Sequence, residues 1–152
     1  MKLRIRLGRI ALIAMLAALV LPLAQQTASA EAHHRRAALL RMTNSSRDTN
    51  RVRSVDLARR MSEVAREHSL KMARTQDLFH TNDPAKAYLQ GVNWSTWGEN
   101  VGVTGGSVAD VHHAFMNSDG HRANILNAGF RHVAIGAVRR DGILWVTVFF
   151  WG

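Results

Sequence analysis

The stretch ILWVTVFFW, residues 143–151, constrains the fold more than any other part of the chain. It is rich in β-branched and aromatic residues, so it reads as a strand, and both of its faces are apolar. A strand with one wet face alternates polar and apolar side chains; one without that alternation must be covered on both sides. HVAIGAV, at 132–138, has the same β-branched character, and Arg140-Asp141-Gly142 separates the two runs. Asp-Gly in that place is a strong hairpin signal. A sheet holding this hairpin needs a helical layer above it and another below. The expected fold is therefore α+β, a three-layer α-β-α sandwich with the C-terminal hairpin in its central sheet.

The helices to cover such a sheet are legible upstream. Ala58, Met61, Ala65, His68 and Met72 recur at spacings of 3, 4, 3 and 4, one face of an α-helix running to about Gln76. Leu57 and Val64 are expected to widen that face and Asp56 to cap its start. NDPAKAYLQG reads as a compact second helix, with Asp83 as N-cap, Pro84 in the first position and Gly91 ending it. Ser107 and Asp110 form a capping box that opens a helix through Asn117. Its buried stripe is Val108, Val111 and Phe115, which leaves His112 and His113 facing solvent. Ahead of all these, a loose tail, a short helix over Ala37–Met42 and a polar loop over Thr43–Asn50 are expected. VNWSTWGENVGVTGG reads as a loop or irregular strand packed down by Trp94 and Trp97. There is no internal repeat, low-complexity segment or second domain.

The first thirty residues read as a leader. Lys2, Arg4, Arg6 and Arg9 precede an apolar run from Ile10 to Leu21, and Ala28-Ser29-Ala30 fits a signal peptidase. That run is short of the roughly 20 residues a membrane span needs. Export, with cleavage after Ala30, leaves a single extracellular domain over 31–152 with its core at about 38–152. A chain of that length buries roughly two-thirds of its surface and folds unaided. It must do so without disulfides, because there is no cysteine. The same absence excludes thiol chemistry and a lipid-modified N-terminus.

Without the leader, 16 basic and 11 acidic residues remain, 16 − 11 = +5. Eight of the sixteen are arginines between Arg35 and Arg60. Such a run suits a solvated helix face or a dock for an anionic surface such as wall polymer or lipid headgroups. No aromatics interleave with the arginines, so a nucleic-acid partner is not indicated.

Three residues at element junctions carry the chemistry: His80, Glu99 and His121. Two imidazoles and a carboxylate suit zinc with an open position for water. Their spacings, 19 and 22 residues, are not a local metal motif. Each also has a structural reading: His80 as a helix C-cap, Glu99 as an arginine's partner, His121 as a bond to its own turn. His68 reads as a core histidine. There is no H-E-x-x-H, no G-x-S-x-G elbow and no P-loop.

Taken in order, LLRMTNSSR, AREHSLKMA, LFHTND, WGENVG and FMNSDGHRANIL resemble the bacterial CAP (SCP-like extracellular) domains over about 38–152. The resemblance implies an α-β-α sandwich whose cleft holds two histidines and two glutamates and can bind zinc. His80, Glu99 and His121 match three of these four positions, and Ser118 stands at the fourth. Serine is a poor zinc ligand and no general base, which favours binding over catalysis. The functions implied are an extracellular binding module for a lipid, cell-wall polymer or peptide; a metal-assisted hydrolase of peptide, glycan or phosphodiester with Glu99 acting on the metal-bound water; or a lipid or sterol carrier.

Overall fold

The computed structural model describes residues 29–152. The expected leader therefore lies outside the described residues, except for its last two positions. Helix α1 covers 29–49, and the packed unit discussed below runs from Arg35 to Gly152. Its elements follow as β1 (Asp56–Leu57), α2 (Arg59–Thr75), α3 (Pro84–Tyr88), β2 (Trp97–Thr104), α4 (Val108–Met116), α5 (Asp119–Leu126), β3 (His132–Arg140) and β4 (Ile143–Trp151). No helix among the described residues is long and apolar enough to cross a membrane.

The four strands lie in the order β1-β3-β4-β2. β3 and β4 form the expected hairpin, with Asp141 at φ 50° and Gly142 at φ 79° in its turn. Two consecutive positive φ values twist the turn in the sense the strands require. β4 is central, antiparallel to both β3 and β2, and buried from Leu144 to Trp151. Its alternate residues serve two cores. Leu144, Val146, Val148 and Phe150 join Leu39 of α1, Val111 and Phe115 of α4, and Ile125 of α5. Phe149 and Trp151 meet Ala65 of α2 and Tyr88 of α3, while Trp145 meets Met72 and Ala73 of α2. This is the α-β-α sandwich that a strand apolar on both faces demands. Close approach of α2 depends on Gly136, where a Cβ would lie 2.2 Å from the Ala65 carbonyl oxygen.

Several local expectations are corrected. α1 does not stop at Met42 for a polar loop; it runs through 49, and the expected loose tail before it is helical too. The polar residues of TNSSRDT have distant partners that outweigh their loop preference. Asn44 clamps the Val55 amide and carbonyl at 2.9 and 3.1 Å, and Arg47 is fully buried against backbone carbonyls. Asp56 does not cap α2 but pairs with His132 in β1, and Ala58 takes the N-cap without a side-chain bond. The buried face of α2 is Ser62, Ala65, Ser69, Met72 and Ala73, whereas Val64 is 36% exposed. The Ser62 hydroxyl accepts from the Ile135 amide and the Ser69 hydroxyl donates to Thr147, so polar residues fasten this helix to the sheet. β2 is a regular strand rather than a loop, and Trp94 and Trp97 remain 44% and 39% exposed. His112 is buried instead of solvated, with Nε2 2.9 Å from the Ser46 hydroxyl, because α4 packs against α1 as well as the sheet. By contrast, the Ser107–Asp110 capping box and the Asp83 cap of α3 form as expected.

Candidate functional site

β2 is an edge strand, and its two-residue alternation divides the site between the faces of the sheet. Glu99 stands opposite Phe149 and shares the α2/α3 side, whereas Asn100 stands opposite Val148 and faces α5. The Glu99 side chain is only 2% exposed. Its Oε2 accepts from the Thr81 amide and from His80 Nδ1, both at 2.9 Å, and its Oε1 accepts from the Thr81 hydroxyl. A carboxylate accepts but cannot donate, so His80 donates from Nδ1, which in the neutral ring leaves Nε2 as the acceptor. That Nε2 has no partner among the described residues, and the His80 side chain is 62% exposed.

Two further groups surround the carboxylate. The Tyr88 hydroxyl is buried beside Thr81 with no well-formed hydrogen bond; burial raises its pKa, the Thr81 side chain opposes that, and the Glu99 charge adds to it. His68 bonds Thr147 through Nδ1 at 3.0 Å and meets Phe79 edge-on at 5.2 Å. Burial above all holds its imidazole below the usual pKa, against the pull of Glu99. Position 68, expected to hold a core histidine, is only half-buried, and its ring also touches the site's electrostatics.

His121 belongs to the other face. It lies on α5, its Nδ1 is 2.9 Å from the Ser118 hydroxyl, and its ring packs on Phe115 at 4.9 Å. Burial, then the proximity of His80, lowers its pKa and favours the neutral ring. β2 and α5 are stitched together by Asn100, which donates to the His121 carbonyl at 2.9 Å, and by Asn124, which donates to the Glu99 carbonyl and to Asn100 Oδ1. The structure therefore joins His80 to Glu99 directly and brings His121 toward them across the strand edge. Among the described residues no three His, Cys, Asp or Glu side chains form a group that could hold a metal ion. Both Glu99 oxygens are already engaged, so the ring nitrogens of His80 and His121 are the donors left for one.

A cleft of about 440 Å³ opens over this network, lined by His80, Thr81, Pro84, Trp97, Glu99 and Asn124 among others. That volume is within the range of small-molecule sites. Thr81 and Tyr88 escape sequence reasoning. Thr81 sits beside His80 in LFHTND, but nothing in the spacing marks it as the carboxylate's second donor. Two members of the arginine run are structural rather than solvated. Arg36 and Arg47 are buried, the first bonding the Ile135 carbonyl and Glu63, the second the carbonyls of Arg53, Ile125, Asn127 and Phe130.

Comparison with known proteins agrees with this architecture. The chain is 30% identical over 118 residues to the uncharacterized protein YkwD of Bacillus subtilis (strain 168), a match taking in 73% of this chain and 45% of that protein. The chain thus spans less than half the length of that relative. The crystal structure of an extracellular protein containing an SCP domain from Bacillus anthracis superposes with a TM-score of 0.67 at 23% identity, covering 79% of this chain and 41% of that one. A cysteine-rich secretory protein from Staphylococcus aureus gives 0.64 at 24% identity, with 79% and 39% covered. An outer surface protein from Borrelia burgdorferi gives 0.64 at 20% identity, with 75% and 89% covered. These structural likenesses concern the fold. The profile of the cysteine-rich secretory protein family matches residues 40–149, well over half of the sequence. Cysteine-free though it is, the chain belongs to the CAP family of cysteine-rich secretory proteins.

Proposed function

We propose that the protein is an extracellular binding module whose ligand enters the cleft beside His80, and that Glu99 is the anchor of that cleft rather than a catalytic base. The observation that carries this reading is the way Glu99 is held: three donors fix a carboxylate that is almost wholly buried. A general base must reach the proton it abstracts, directly or through one water. Glu99 instead fixes the His80 tautomer and ring orientation, presenting Nε2 to the cleft. Export is supported by the leader pattern at 1–30 and by likeness to proteins described as extracellular or outer-surface. The test is turnover: wild-type protein and Glu99→Gln are incubated with peptide, glycan and phosphodiester substrates, with and without zinc. A binding module releases no product from any of them. Hydrolysis that disappears in Glu99→Gln and with chelator makes the protein a metal-assisted hydrolase instead.

A divalent ion in the cleft is a second reading, favoured by the matched bonding of the two histidines. Each uses Nδ1 on an oxygen partner, Glu99 for His80 and Ser118 for His121. A metal-ligating histidine commonly has its other ring nitrogen held in this way. His80 and His121 would hold the ion, which would supply Lewis acidity beside the cleft. Calorimetric zinc titration of 31–152 beside the folded His80→Ala/His121→Ala double variant decides it. One equivalent lost in the variant supports the reading; no binding, or unchanged binding, removes it.

A further inference from the structure

The chemistry of the cleft wall goes beyond the presence of a binding site and names a class of ligand. Trp97 begins β2 and its ring stacks on Phe149 at 5.9 Å and 24°. Phe149 in turn stacks on Tyr88 at 4.1 Å and 9° and packs beside Trp151 at 5.9 Å. The indole is therefore backed by an aromatic layer; the residue is 39% exposed and lines the cleft. Large aromatics bury well, and one held flat at the surface offers a ready apolar platform.

The polar groups around this platform narrow the choice of ligand. His80 turns Nε2 to the cleft, and Asn124, whose amide nitrogen is committed to β2, keeps its Oδ1 free of hydrogen-bond partners among the described residues. Gly98 leaves room for that oxygen; a Cβ there would lie 2.5 Å from it. Among the described residues neither lysine nor arginine lines the cleft, and the one carboxylate that does is Glu99. A phosphate, sulfate or carboxylate ligand would thus find no lysine or arginine to pair with and would lie beside the Glu99 carboxylate. An acyl chain would find only the indole and Pro84, too little apolar wall to enclose it. An uncharged ring with an apolar C–H face and hydroxyls at its rim satisfies both halves of the site.

We infer that the cleft binds a neutral saccharide, stacked on Trp97 and hydrogen-bonded through its hydroxyls to His80 Nε2 and Asn124 Oδ1. This rests on the binding reading above and specifies its ligand.

The experiment titrates three neutral tetrasaccharides, of N-acetylglucosamine, glucose and mannose, into ¹⁵N-labelled protein. It follows the Trp97 indole cross-peak, identified by its loss in Trp97→Phe, and the amides of Thr81 and Gly98. At least one tetrasaccharide is expected to shift all three signals. Affinity should fall at least tenfold in Trp97→Ala, less in Trp97→Phe, and stay unchanged in Trp94→Ala, which lies outside the cleft lining. Retention of the β-sheet spectrum in Trp97→Ala shows that the loss is local. No shift with any of the three sugars, or equal affinity in Trp97→Ala, overturns the inference. The two readings fail differently. Sugar that binds at Trp97 and is then cleaved in a Glu99-dependent way leaves the saccharide assignment standing and removes the binding-module reading. Zinc binding at His80 with no sugar response does the reverse.

Discussion

Removing the Glu99 carboxylate tests whether it anchors the cleft. In Glu99→Ala three donors lose their acceptor at once: the Thr81 amide, the Thr81 hydroxyl and His80 Nδ1. A hydrogen bond to a charged group contributes about 1.5–3 kcal/mol net, so strict addition of three would give about 4.5–9 kcal/mol. Two effects lower that sum. Burying a carboxylate costs several kcal/mol, which the variant recovers. His80 is 62% exposed and Thr81 half-buried, so both regain bonds to water. A net loss of about 2–4 kcal/mol is expected, a fall in Tm on the order of 10 °C. Glu99→Gln behaves differently. Its amide oxygen takes over the Oε2 bonds, and its NH₂ donates to a Thr81 hydroxyl rotated to accept, leaving a cost of about 1 kcal/mol. Urea unfolding of 31–152 followed by circular dichroism measures both variants. If alanine costs no more than glutamine, or less than about 1 kcal/mol, the three bonds do not stabilise the site as argued.

Two other substitutions probe the scaffold. Arg47→Met strips the partners from the Arg53, Ile125, Asn127 and Phe130 carbonyls around a fully buried position, and should cost about 3–5 kcal/mol by the same unfolding assay; a loss under about 1 kcal/mol would show that these bonds are dispensable. His112 resists protonation in the folded chain, chiefly through burial and then through His113, so the unfolded chain binds its proton first as pH falls below the ordinary value of 6.5. Stability from this group is therefore intact above that pH and lost below it, and His112→Gln should flatten the decline in urea midpoint between about pH 7 and pH 5; an unchanged slope would assign the decline to other groups.

What could be read from sequence divides along the range of the interactions involved. The β3–β4 hairpin, the Ser107–Asp110 box and the Asp83–Pro84 start of α3 are set by residues a few positions apart, and each forms as expected. The two apolar faces of β4 also sufficed to call for two helical layers, because that requirement follows from burial alone. α1 was misjudged because the partners of Asn44, Ser46 and Arg47 lie at Val55, His112 and the 125–130 carbonyls. β2 looked irregular because its order derives from pairing with β4, which its own composition does not reveal. His112 was placed in solvent because α4 shows one apolar stripe, while its second packed face meets α1. At the site, family resemblance grouped His80, Glu99 and His121. The alternation of β2 explains what the resemblance could not convey: Glu99 and His121 approach the strand from opposite faces, and the nearest partners of Glu99 are His80 and Thr81.

The most direct measurement of the central claim is the tautomer of His80. Long-range ¹H–¹⁵N correlation of the imidazoles, recorded near pH 7.5 on metal-free protein and on Glu99→Ala, reports which ring nitrogen carries the proton. If Glu99 anchors the cleft, His80 carries it on Nδ1 with Nε2 bare in the wild type, and this preference is lost in the variant. A wild-type His80 protonated on Nε2, or a spectrum indifferent to Glu99→Ala, would contradict the account.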